Sequence, residues 1–106
     1  MESTARRMKL LAKFFQGLSD SSRLLIMSYL RAGPLSVSEI VKKTGLTQSN
    51  VSNHLACLRN CGHVKSLQKG RVVIYSLGSK KIGRLLYMSE DILKQNALGI
   101  YECTRM

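Results

Sequence analysis

Acidic residues are scarce in this chain: 6 Asp and Glu stand against 17 Lys and Arg, a formal net charge of +11 with a pI near 10.1. So one-sided a balance points to a polyanion as partner, most simply nucleic acid. Cysteine is sparse as well. Three residues are an odd number and too few for a disulfide framework, which suggests a cytosolic protein whose reduced thiols are available for metal or redox chemistry. No apolar run approaches the roughly 20 residues that would span a membrane. At the N-terminus Lys9, Lys13 and Gln16 interrupt the apolar stretch, so it lacks the core of a signal peptide. There is no internal repeat, no low-complexity stretch and no phosphate-cradling glycine motif. His54 and His63 have no obvious nucleophile and acid partners, and nothing suggests an enzyme.

At 106 residues the chain has room for one domain, residues 1–106, and a core so small would gain from a dimer. Met8, Leu11, Phe14, Phe15 and Leu18 recur at helical spacing and predict a first amphipathic helix over 4–17. Asp20 is a good N-cap for a second, SSRLLIMSYLRAG, which ends at Gly33-Pro34. A short third helix, VSEIVKKTG, follows Ser36 and stops at Gly45. Thr47 then caps a helix over 48–61, and the tight turn TGLT between the two suggests a helix-turn-helix. HVKSLQ and RVVIYSL, separated by Lys69-Gly70, read as a hairpin. From Ser79 a last helix, KKIGRLLYMSEDILKQN, carries Ile82, Leu85, Leu86, Ser89, Ile92 and Leu93 along one stripe, more apolar surface than a small monomer covers easily. The expected fold is therefore mainly α with a β-hairpin: a winged helix-turn-helix, forming a homodimer through its terminal helices, with residues 97–106 as a C-terminal tail.

Residues of a helix advance by about 100° each, so the faces of 48–61 can be assigned by angle. Val51, Leu55 and Leu58 cluster toward a core. Ser49, Asn53, Ala56 and Asn60 lie opposite, with Gln48, Ser52 and Arg59 on one shoulder. Small and amide-bearing residues suit a DNA groove, because Asn and Gln pair with adenine and Ser reaches phosphate or base. The other shoulder holds Asn50, His54, Cys57 and Cys61. The expected DNA contacts are Thr47, Gln48, Ser49, Asn50, Ser52, Asn53, His54 and Arg59 on this helix, with Lys69 and Arg71 at the hairpin tip. Each has a plainer reading: the tip cations as solvated turn charges, His54 as a core-edge or phosphate-bonding side chain, the two thiols as small semi-buried hydrophobes. Two cysteines four apart on one stripe, with a third in a polar tail, bring the metal reading level with that one.

LTQSNVSNHLACLRNCGHV followed by GRVVIYSL resembles the ArsR/SmtB family of metal-responsive repressors, and the likeness runs through residues 8–98, GLSDSSRLLIMSYL included. The closest likeness is to a cadmium- and lead-sensing branch. What that branch implies is a metal held by Cys57 and Cys61 together with a cysteine of the tail, here Cys103, and a tail that crosses to the other subunit. Two family features are missing. Ser36-Val37-Ser38 stands where many members carry Cys-Val-Cys, and no His follows His63 to build a zinc site on the last helix.

Thiolates select soft or borderline ions, so an all-cysteine set favours Cd(II), Pb(II) or Zn(II) over magnesium, calcium or manganese. Three sulfurs without a fourth ligand suit Cd(II) or Pb(II) better than tetrahedral Zn(II). The expected protein is a cytoplasmic repressor whose metal-free dimer binds double-stranded operator DNA as an inverted repeat and leaves it on binding metal. The competing readings are a thiol redox or persulfide sensor on the same fold and a winged-helix protein interaction module.

Overall fold

The structure is a computed structural model that describes the backbone of residues 3–105; the side chains of residues 97, 98 and 100–105 lie outside that description. Five helices and three strands follow in the order α1 (Thr4–Leu18), α2 (Ser21–Leu30), β1 (Leu35–Ser36), α3 (Val37–Thr44), α4 (Gln48–Asn60), β2 (Val64–Lys69), β3 (Val72–Leu77) and α5 (Lys80–Arg105).

Short polar side chains start the helices by taking up backbone donors that the helix itself leaves unpaired. Asp20 accepts from the Arg23 amide at 3.0 Å and Thr47 from the Asn50 amide at 3.1 Å. Ser36 and Glu39 cap each other's backbone reciprocally at the start of α3. Gly45 ends α3 at φ 74°, a left-handed conformation that glycine adopts without a Cβ penalty. The tight connection that follows brings α4 across α3 as the second member of a helix-turn-helix.

β2 and β3 form the wing, antiparallel, with Lys69 opposite Val72 and Val64 opposite Leu77. The turn therefore consists of Gly70 and Arg71, with Lys69 as the last strand residue, one position later than the Lys69-Gly70 turn expected from the sequence. Gly70 has φ 61°, which fits the glycine-first requirement of a II′ hairpin turn. The two-residue strand β1 pairs with β3 and completes a sheet of order β1-β3-β2.

The core gathers Ile26, Met27 and Leu30 of α2, Ile40 of α3, Val51, Leu55 and Leu58 of α4, Val64 of β2 and Leu86 of α5. The apolar stripes of the terminal helices are only partly used. Leu18 and Leu86 are buried, while Met8, Leu11, Phe15, Ile92 and Leu93 keep 44–57% of their surface exposed. α5 also outruns its expected end: Asn96 leaves helical geometry at φ −127°, and the helix continues beyond it to Arg105. Among the described residues no helix is long and apolar enough to cross a membrane.

Leu55 is fully enclosed at the centre of α4. Leu55→Ala is expected to cost about 2–5 kcal/mol through lost burial and the cavity left behind. A urea unfolding midpoint unchanged from the parent would contradict this placement of the core.

Candidate functional site

The outer face of α4 is polar and open. Thr47, Gln48, Ser49, Ser52 and Asn53 line a shallow concavity at its N-terminal half, and Asn50, Ala56, Arg59 and Asn60 are exposed beside it. Arg59 reaches toward the wing, its guanidinium donating to Ser66 Oγ at 3.4 Å. Lys69 and Arg71 flank Gly70 at the hairpin tip, both exposed. Of the ten expected DNA contacts, nine thus lie on the surface formed by α4 and the wing tip.

His54 does not. It is half-buried and turned toward the corner between α1 and α2, where Nδ1 accepts from Arg23 Nε at 3.4 Å and Nε2 stands 3.9 Å from Asp20 Oδ2. Arg23 also donates to the Gly17 carbonyl at 3.0 Å. The Asp20 carboxylate is held below its ordinary range, first by the Arg23 backbone amide and then by the neighbouring Arg23 guanidinium. This cluster binds the start of α2 to the middle of α4. Arg23 escaped the sequence reading, because nothing in periodicity links positions 31 apart.

Cys57 and Cys61 are free thiols one helical turn apart, the first half-buried and the second exposed. Cys61 faces the last turn of α1: a Cβ built on Gly17 would lie 3.4 Å from Cys61 Sγ and 2.9 Å from His63 Nε2. Gly17 therefore gives a close approach, since a side chain there would force the buried His63 ring to shift. His63, completely buried, donates from Nε2 to the Phe14 carbonyl at 3.1 Å and sets its ring edge-on to Phe14 with centroids 4.5 Å apart. A carbonyl only accepts, so the proton sits on Nε2 and leaves Nδ1 as a buried acceptor with no protein partner. Burial lowers the pKa of His63, and the Phe14 hydrogen bond offsets that in part. The sequence carried no signal for this role beyond the histidine itself.

As a metal centre, the described side chains supply two of the three expected ligands. Two thiolates on one helix flank fit a soft ion, but no group of three His, Cys, Asp or Glu that could hold one occurs among the described residues. Cys103 falls in the backbone of α5, and its side chain lies outside the described residues.

Helix-turn-helix, wing and exposed polar helix together define a winged helix-turn-helix regulator. Residues 20–66 match the model of bacterial regulatory proteins of the arsR family. The chain is 33% identical over 95 residues to a probable mercury resistance operon repressor of Streptomyces lividans, covering 90% of this chain and 76% of that one. It is 41% identical over 76 residues to the regulator CmtR of Mycobacterium bovis, covering 72% of this chain and 64% of CmtR. The crystal structure of Rv0081 from M. tuberculosis superimposes with a TM-score of 0.81 at 29% identity, over 94% of this chain and 99% of that one. The chain belongs to the ArsR/SmtB family of metal-responsive transcriptional repressors. Its relatives are DNA-binding regulators rather than enzymes.

Two outcomes follow from the geometry. The unfolded chain protonates a histidine near pH 6.5 while folded His63 resists protonation, so stability is whole above that pH and is lost as pH falls through the lower folded value. Unfolding of the metal-free protein at pH 7.5 and 5.5 should show this loss, at most about 1.4 kcal/mol per pH unit. His63→Leu should flatten the difference. On the outer face, Lys69→Ala or Arg71→Ala should weaken all duplexes alike and reduce the salt slope by about 1. Gln48→Ala or Asn53→Ala should instead cost about 1–3 kcal/mol at particular base pairs, as read by competition among operator variants.

Proposed function

We propose that this protein is a cytoplasmic repressor whose metal-free homodimer binds an inverted-repeat operator and which releases it when Cd(II) or Pb(II) is held by Cys57, Cys61 and Cys103, with Zn(II) a weaker fit. One observation carries the reading: both described thiols lie on one flank of the helix whose outer face is built to read DNA, with Cys61 against the last turn of α1. Support for the metal class comes from the family, from the likeness to CmtR and from the softness of sulfur donors. Resemblance to the cadmium- and lead-sensing branch assigns the third ligand to the tail of the partner subunit, giving two equivalent sites per dimer.

The exposed apolar faces of α1 and α5 are the proposed dimer contact. Two α4 helices must then lie about one turn of DNA apart, roughly 34–36 Å, to enter successive major grooves. Thr47, Gln48, Ser49, Asn50, Ser52 and Asn53 read or position the groove, while Arg59, Lys69 and Arg71 meet phosphate. His54 serves the same surface from behind, by fixing α4 against α2.

Loading the site replaces three neutral thiols by three thiolates around a divalent ion, releases three protons and leaves a local net charge of minus one beside the phosphates. The same linkage ties α4 to α5 and restricts how the two reading helices are spaced. Both effects weaken DNA binding. Switching requires the ion to prefer the non-binding conformation by about 1–3 kcal/mol, a 5–150-fold change in operator affinity.

The test is a cadmium titration of the intact protein beside Cys57→Ser, Cys61→Ser and Cys103→Ser, read by thiolate absorption and operator binding together. Wild type should lose operator affinity as the absorption saturates, and each variant should lose both responses. Saturating metal with unchanged affinity would remove the sensing claim, and a Cys103→Ser protein that still switches would remove the third ligand.

A further inference from the structure

Away from the thiols, an open cleft of about 850 Å³ runs between the base of the wing and the start of α5. Leu30, Pro34 and Leu77 give it apolar walls, and Arg31, Lys65, Lys80 and Arg84 bring four cations to its edge. No acidic residue lines it among the described residues. Glu90 holds Arg31 by an ion pair of 2.8 Å, with the guanidinium 6.0 Å over the ring of Tyr87, so this cation is oriented in advance. The first turn of α5 contains Lys80 and Lys81 and no acid, although that end of a helix favours negative charge. Lys80 thus stands where the backbone dipole is already positive, with Lys65 and Arg84 beside it, an arrangement that an anion would relieve.

Duplex DNA is not the natural occupant. Ser66 faces α4, since it accepts from Arg59, and strand alternation turns Lys65 and its partner Ser76 to the opposite side of the sheet. The Lys65–Ser76 pair is also four positions from the Lys69–Val72 pair at the hairpin end, about 13 Å along the strand. The cleft therefore lies at the base of the wing, on the sheet face turned from α4 and well back from the hairpin tip. At its far end the cleft reaches Tyr87 and Met88, exposed residues of α5 one turn before Ile92, so it borders the dimer contact proposed above while its cations lie toward the start of the helix. Its volume falls in the range of small-molecule sites, which combine mostly apolar walls with a few polar anchors.

We propose that this cleft is a second ligand site, separate from the thiol pair, for a small organic anion: an aromatic or aliphatic body on the Leu30, Pro34 and Leu77 walls, its carboxylate, sulfonate or phosphate group among Arg31, Lys65, Lys80 and Arg84. A ligand seated there contacts the wing and α5 at once.

The probe is 1-anilinonaphthalene-8-sulfonate, an apolar aromatic anion, titrated into the metal-free full-length protein by fluorescence, with amide chemical shifts locating it. N-phenyl-1-naphthylamine serves as its neutral counterpart. The sulfonate should bind once per chain, shift residues 76–88 and outcompete the neutral dye in affinity. Lys80→Glu/Arg84→Glu should weaken it by about tenfold or more, and Lys80→Gln/Arg84→Gln by less, whereas Lys9→Glu/Lys13→Glu, with the same change of charge on α1, should leave it within about twofold. Equal loss in both charge-reversed proteins would overturn the site in favour of generic attraction. So would equal affinity for the neutral dye, or shifts confined to the exposed faces of α1 and the second half of α5. Loss of operator binding in the glutamine variant with dye affinity intact would reassign these cations to DNA phosphate.

Discussion

Everything in this molecule depends on the rotation at which α4 is set. Val51, Leu55 and Leu58 are wholly enclosed, and together they leave the helix only one way to face. Once that stripe is buried, the remaining angles follow: a polar face opposite, Arg59 on the shoulder toward the wing, and Cys57 and Cys61 on the other shoulder, Cys61 beside the last turn of α1. The proximity of thiol chemistry to DNA reading is thus a consequence of helical geometry, with no additional device to bring them together. A helix is stiff, so whatever restrains its flank also restrains its outer face.

That flank is unusually committed to α1. Gly17 allows the last turn of α1 to approach until only a missing Cβ separates it from Cys61 and His63. His63 spends its one proton on the Phe14 carbonyl and leaves a buried nitrogen without a protein partner, a cost that the surrounding packing must offset. Arg23 adds a second tie, with Gly17 and His54 both as acceptors. The helix proposed for dimerisation is therefore seated on the end of the helix proposed to read DNA. In the proposed switch, a change at the thiols reaches both surfaces over the width of one helical turn, which is a shorter route than most couplings between distant sites require.

Local rules made much of this legible in the chain. The N-caps Asp20 and Thr47, the short helix between Ser36 and Gly45 and the angular sorting of α4 all depend on neighbours within a few positions, and all reappear in the structure. What escaped depends on partners remote in sequence. β1 is two residues long and exists only because Leu35 and Ser36 meet Tyr75 and Ile74. His54 sat on the correct shoulder, but the partners that draw it inward, Asp20 and Arg23, come from another helix. His63 looked like the start of a strand and proved to be the buried link to Phe14. At the hairpin the turn moved by one residue, because strand pairing across Lys69 and Val72 outweighs the preference read from Lys69-Gly70 alone. The helix expected to end at Asn96 bends there and resumes, since one Asn interrupts helical geometry without being able to stop it.

The most direct measurement is the coordination shell of the metal-loaded dimer, by X-ray absorption at the cadmium edge, in wild type and in Cys61→Ser. An all-sulfur shell that loses one sulfur in the variant is the predicted result. A shell of nitrogen and oxygen, unaltered by removing Cys61, would mean that the ion binds elsewhere and that the placing of two thiols beside the reading face has no part in sensing.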